Sequence, residues 1–313
     1  MAGRPLDPQV EAYRRKRHAA GMRPLHELSV AEARGAELSE LQPAFPEPVA
    51  QVFDRTLPGS EGGVPVRFYL PEAARPLPVL VYLFGGGWVL GSLEAVDPVC
   101  RRLANATPCA VVSVGYRRAP EHPFPAGLED CYATARWVAE HGAELGLDPD
   151  RLAVGGASAG GNLAAAVALL ARERAGPEIA LQLLVYPPLD QRADTPSMHE
   201  TLDPLLFGRK DLEWCWSHYL ADPEDGDNPL ASPLRARDFH GLPAALVITA
   251  GIDPLRDQGE VYASRLTEAG VSSEHVRFEG AVHGFFSNAG RFDAAAEAQA
   301  LAASALRRAF RPT

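Results

Sequence analysis

The hydrophobic pattern changes character twice along the chain. Through the first forty or so residues, apolar and charged side chains recur at helical spacing, as at Val10, Tyr13, Arg14 and Arg17, and predict one or two amphipathic helices. From Val52 the segments turn short and β-rich. QVFDRTLPG and VPVRFYLPE, separated by a Gly-rich turn, read as an opening hairpin. LPVLVYLF and CAVVSVGY follow as continuous apolar runs with a polar, helical stretch between them, and runs without alternation are expected of strands buried on both faces.

AGLEDCYATARWVAEHGAEL then reads as a helix, RLAVGGAS as a strand and turn, AGGNLAAAVALLARERA as a helix and ALQLLVYPPL as a strand. Such alternation predicts a parallel sheet covered by helices. Residues 190–238 interrupt it: the stretch is rich in Pro, Asp, Trp and Leu, contains helix-like DLEWCWSHYL and has no buried-strand run, so it reads as an insertion. The grammar resumes with a strand at PAALVITAGID, a helix over GEVYASRLTEAG, a strand at SSEHVRFEG and a closing helix from Phe292.

Composition narrows the function more than the fold. A chain of 313 residues suits one large α/β domain with insertions as well as two domains. A formal net charge of −10 argues against a nucleic-acid partner and for small or neutral substrates. Cys100, Cys109, Cys131 and Cys215 form no C-x-x-C pair and no metal-ligand spacing with histidine, and read as buried thiols in a cytosolic setting. The first residues lack the apolar core of a signal peptide, and no segment approaches the length of a membrane span. We therefore expect a cytoplasmic protein without a membrane partner.

The chemistry begins at Gly156-Ala-Ser158-Ala-Gly160, a G-x-S-x-G pattern lying directly between a predicted strand and a predicted helix. A sharp strand-to-helix turn brings neighbouring backbone close to a strained serine, so side chains at the two glycines would collide. Ser158 is then a candidate nucleophile at a helix amino terminus, where the helix dipole favours a developing negative charge. A serine hydroxyl is a weak nucleophile. It needs a histidine to take its proton and a carboxylate to fix that histidine's tautomer, in the order Ser, Asp, His.

Asp253, just past the buried run ALVITAGI, is the candidate acid, with Asp257 as runner-up; the competing reading of Asp253 is a helix cap ahead of Pro254. Of nine histidines, His283 lies in a Gly-bounded loop after the last strand signal and is the candidate base, whereas His122 falls too early for the expected order. The run Gly85-Gly-Gly87 lacks the lysine and hydroxyl of a phosphate loop and the G-x-G-x-x-G spacing of a dinucleotide site. It fits an oxyanion hole instead, with backbone N–H donors from Gly86, Gly87 and Ala159.

FGGGW (84–88), YRRAPEHPFPAGLED (116–130), VGGASAGGNLA (154–164), DPLRDQG (253–259) and HGF (283–285) occur in that order. Together they resemble the hormone-sensitive-lipase-like esterases, the bacterial family IV, over the chain from about Val79 onward. The resemblance implies an α/β-hydrolase fold, with a mostly parallel central sheet flanked by helices. It implies hydrolysis of short to medium acyl-chain esters, with neither cofactor nor metal, in a monomer or homodimer. It also implies a helical cap, built here from residues 1–45 and 190–238, over a catalytic domain of residues 46–189 and 239–313. Trp88, Leu205, Leu206, Phe207, Trp214 and Trp216 are then candidate pocket residues. Two positions depart from the family's pattern: Phe84 stands where histidine is usual, and Ala157 where aspartate is usual. Both changes delete a polar side chain beside one loop system, and we expect the two positions to interact. The same fold also hosts ligand-binding members without catalysis, and the same triad would act on amides or lactones.

Overall fold

The computed structural model describes residues 6–40, 47–59, 62–200 and 203–311. The expected domain boundary at residue 45 and the hairpin's turn at residues 60 and 61 lie outside the described residues. Eight strands form one sheet: β1 (Gln51–Leu57), β2 (Val64–Leu70), β3 (Leu77–Leu83), β4 (Ala110–Val114), β5 (Leu147–Ala157), β6 (Leu181–Val185), β7 (Ala244–Ile252) and β8 (Ser273–Val282). Their spatial order is β1-β2-β4-β3-β5-β6-β7-β8. β1 and β2 pair antiparallel as the hairpin pattern predicts, with Gln51 opposite Leu70. β2 meets β4 antiparallel, and all pairs from β4 through β8 are parallel. The continuous apolar runs behave as expected: every residue of β3, β4 and β6 is buried.

Helices cover both faces. α3 (Leu93–Ala106), capped by Ser92 Oγ accepting from the Ala95 amide at 3.2 Å, packs with α8 (Asp293–Ala309). α4 (Ala126–His141) packs with α5 (Ala159–Glu173), which is almost wholly buried and correspondingly Ala-rich. α5 and α7 (Arg256–Glu268) are bridged by one segment: Arg172 donates to the His240 and Asp238 carbonyls, and Arg265 to the Ala236 carbonyl. The predicted helix through Leu145 leaves the α pattern at Gly142 and finishes in a 3₁₀ turn. The strand expected through Leu189 stops at Val185, because Pro187 and Pro188 cannot donate to a ladder.

Three more helices, α1 (Pro8–Ala19), α2 (Val30–Glu40) and α6 (Arg209–Tyr219), stand at the carboxyl end of the parallel strands, and polar contacts link α1 and the segment after it to α6 and the residues before it. Asp203 accepts from Arg14 at 2.7 Å and lies 2.8 Å from His18 Nε2. Asp211 Oδ1 accepts from the His26 amide at 3.0 Å and sits 2.7 Å from its Nδ1, while Trp214 Nε1 donates to the Leu28 carbonyl at 3.1 Å. Arg14, His18, His26 and Leu28 thus meet Asp203, Asp211 and Trp214 across one polar interface. Among the described residues, no helix is long and apolar enough to cross a membrane.

Candidate active site

The sheet itself assembles the site. β5 ends at Ala157, β7 at Ile252 and β8 at Val282, so Ser158, Asp253 and His283 are each the first residue past a parallel strand. Residues far apart in sequence therefore emerge along one edge, where open α/β sheets place their ligands. Ser158 Oγ lies 2.8 Å from His283 Nε2, and His283 Nδ1 lies 2.8 Å from Asp253 Oδ2. Asp253 is 1% exposed, and its other carboxylate oxygen accepts from the Leu255 amide at 2.9 Å. Each oxygen has its own partner, and Asp253 is not the cap of α7: that position is Leu255, whose amide closes a local turn on Asp253. Asp257 points elsewhere, accepting from the Ser197 amide at 2.8 Å and from Arg256 Nε at 2.9 Å.

Ser158 adopts φ 56° and ψ −124°, a strained conformation for a residue with a Cβ. Its glycine neighbours have no alternative: a Cβ on Gly156 would stand 2.4 Å from the Leu83 carbonyl oxygen, and one on Gly160 only 1.9 Å from it. The turn presses against the end of β3, which continues directly into the glycine loop. There Gly86 and Gly87 take φ +121° and +59°. Among the described residues, neither amide meets a backbone acceptor, and Ala159, as the first residue of α5, has none within its helix.

That loop is braced from behind by the 116–130 motif and by α2. Tyr116 donates its hydroxyl to the Phe84 carbonyl at 2.8 Å and Arg118 donates to the Gly91 carbonyl at 2.7 Å. Arg34 donates to the Val89 carbonyl at 3.0 Å, and both carboxylate oxygens of Glu37 accept from the Gly91 amide at 3.0 Å. Burial pushes the Tyr116 phenol far above its ordinary value, so it stays a donor. Cys215 of α6 closes the other side, its sulfur occupying the space a Cβ on Gly87 would need. Burial, with the Asp211 carboxylate nearby, raises the Cys215 thiol and keeps it neutral.

Ser158 and His283 open into a cavity of about 430 Å³. Its wall includes Gly85, Gly86 and Gly87, together with Leu205, Leu206 and Phe207 from the insertion and Leu25 and Leu28 from the amino-terminal segment. Trp88 lies behind this wall, stacked on Tyr219 at 4.2 Å and against Trp216 at 4.4 Å. Trp214 also stands outside it, held by Leu28. Phe84 and Ala157 follow the paired residues Leu83 and Gly156 on neighbouring strands; Phe84 stacks on Tyr116 at 4.1 Å, and Ala157 lines the cavity.

Tyr186 was not singled out from sequence. It is the first residue past β6, the strand between those carrying Ser158 and Asp253, and its ring meets His283 at 4.7 Å. The same rule that locates Ser158, Asp253 and His283 finds it. Phe207, named only for the pocket, stacks on the His283 ring at 4.3 Å. Among the described residues, no group of three or more His, Cys, Asp and Glu side chains could hold a metal ion.

A mostly parallel eight-stranded sheet with a serine on the sharp turn after its fifth strand is the architecture of the α/β hydrolases. Residues 80–287 match the α/β hydrolase fold family. The chain is 43% identical to carboxylesterase NlhH of Mycobacterium tuberculosis over 289 residues, covering 90% of each protein. It is 37% identical to an arylesterase of Saccharolobus solfataricus, covering 91% of this chain and 93% of the relative. The crystal structure of a thermostable esterase from Pseudomonas putida superposes with a TM-score of 0.94 at 32% identity, covering 100% of both chains. The chain belongs to the hormone-sensitive-lipase-like family of α/β hydrolases.

Proposed function

We propose that this protein is a serine carboxylesterase in which Ser158 attacks an ester carbonyl. The observation that carries the reading is the unbroken relay from Ser158 Oγ through His283 to Asp253, at 2.8 Å and 2.8 Å, facing a cavity. With Nδ1 protonated and donating to Asp253, His283 presents a lone pair at Nε2. It takes the serine proton as the C–O bond forms and returns it to the leaving alcohol as the tetrahedral intermediate collapses. Water then attacks the acyl-enzyme, His283 taking its proton and giving it back to Ser158. The amides of Gly86, Gly87 and Ala159 receive the oxyanion, and each such donor is worth about 3 kcal/mol of barrier.

The carboxylesterase and arylesterase activities named for the relatives support ester hydrolysis here. A cavity of about 430 Å³, near the lower end of ligand-site volumes, supports short to medium acyl chains. We read α1, α2 and α6 as one helical cap whose polar interface sets that volume. A panel of p-nitrophenyl acetate, butyrate, octanoate and palmitate on wild type and Ser158→Ala tests the reading. Turnover should be greatest on the shorter esters and fall by at least about 10⁴-fold in the variant. Equal turnover by the two proteins on every ester would sink it.

A further inference from the structure

We propose that Phe207 is a positioning residue for His283, its ring face stabilising the imidazolium that forms in both halves of the reaction. The inference rests on the reading of His283 as the general base. The Phe207 and His283 rings stack with centroids 4.3 Å apart and planes 23° from parallel. Aromatic pairs more often sit edge-to-face or offset. Stacking at this distance sets the imidazole over the face of the Phe207 ring, where a cation is drawn to the ring's negative face.

The ring is held from both sides along the chain. On one side Asp203 accepts from the Leu205 amide at 2.9 Å while also taking Arg14 of α1 at 2.7 Å. On the other, the Gly208 amide donates to Asp211 at 2.9 Å at the start of α6. A loop anchored at positions 203 and 208 leaves Phe207 little freedom, so the cap delivers a fixed aromatic face to the base. His283 also faces Asp253, Ser158 and the ring of Tyr186. The charged groups of the cavity wall are Arg17, Arg23, Arg291, Glu37 and Asp211. Glu37 is engaged by the Gly91 amide and Asp211 by His26, and a change at residue 207 leaves all of these in place.

Phe207→Leu keeps an apolar, desolvating side chain and removes the ring face. Losing a cation–π contact of this kind should move the acidic limb of kcat/KM down by roughly 0.5 to 1 pH unit and lower plateau kcat about three- to ten-fold. KM should stay within about two-fold, and Phe207→Trp, which offers a stronger face, should restore both. Titrating His283 by nitrogen-15 NMR in Ser158→Ala, with and without Phe207→Leu, should give the same downward shift independently of turnover. An unmoved limb and titration with altered KM would reduce Phe207 to a wall residue and overturn the inference. Should Phe207→Leu not fold, Phe207→Met carries the same expectation. Full activity in Ser158→Ala would instead bring down the underlying function.

Discussion

Gly87→Ala tests whether α6 and the glycine loop proposed to receive the oxyanion form one mechanical unit. The new Cβ would stand 2.2 Å from Cys215 Sγ and 3.0 Å from Cys215 Cβ, on a backbone at φ +59°. Ordinary contact needs about 3.5–4.0 Å, so with Cys215 keeping its rotamer in the buried face of α6, loop and helix part by roughly 1.5 Å. An oxyanion donor works only within about 2.7–3.1 Å of the oxygen, so that displacement removes at least one amide. The loss is about 3 kcal/mol, or roughly a hundred-fold in kcat. The left-handed backbone adds about 1 kcal/mol of instability. Cys215→Ala alone removes one buried sulfur, and should cost about 1 kcal/mol of stability with kcat near wild type. In the double variant only the 3.0 Å Cβ contact remains, which a shift of a few tenths of an ångström relieves. We expect kcat on p-nitrophenyl butyrate to recover at least about ten-fold over Gly87→Ala, a coupling of about 1.4 kcal/mol. Thermal melts establish that each variant is folded. Strictly additive losses in the double variant would refute the reasoning.

Further expectations can be checked with the same assay and melts. Asp253→Asn should leave the fold intact and lower kcat by about 10⁴-fold, whereas Asp257→Asn, whose side chain is bonded to Ser197 and Arg256, should leave kcat within about two-fold. The hydrogen bonds of His18 and Arg14, acting against burial, hold the Asp203 carboxyl below its ordinary value. Its contribution to stability is thus present above the unfolded value and lost as pH falls through the folded one, so wild-type and Asp203→Asn melting temperatures should differ at neutral pH and converge in strong acid. Phe84 and Ala157 follow the register pair Leu83 and Gly156 on adjacent strands, so Phe84→His and Ala157→Asp should show a coupling above about 0.5 kcal/mol in a double-mutant cycle, and strictly additive effects would show that the positions do not communicate. Burial raises the Cys109 thiol to about 12, so alkylation at mildly alkaline pH should require unfolding, and rapid modification of the native protein would contradict the packing.

The sheet was the most legible part of the chain because strands buried on both faces advertise themselves as unbroken apolar runs. β3, β4 and β7 lie where Val79–Leu83, Ala110–Val114 and Ala245–Ile252 stand out in the sequence. The elbow was legible for a different reason: its glycines answer to backbone clashes, and the sterics at Gly156 and Gly160 are those the G-x-S-x-G spacing demands. What escaped the sequence were contacts between elements. The helical stripe Leu212, Cys215, Trp216 and Tyr219 shows that α6 buries one face, but not that Cys215 would meet Gly87 or that Trp88 would stack on Tyr219. Phe207 lies in a loop without periodicity, and its stack on His283 is a contact between elements that no local pattern announces. Tyr186 was concealed in the reading of ALQLLVYPPL as uninterrupted strand, when Pro187 and Pro188 already place its end just upstream.

The proposed reaction passes through a covalent acyl-enzyme on Ser158. Intact-protein and peptide mass spectrometry after exposure to an alkyl fluorophosphonate, which mimics the tetrahedral intermediate, tests it most directly. One adduct per chain is expected, located on Ser158, with parallel loss of ester turnover, and no adduct in Ser158→Ala. Complete loss of turnover with Ser158 unmodified, or full turnover with Ser158 quantitatively labelled, would contradict it.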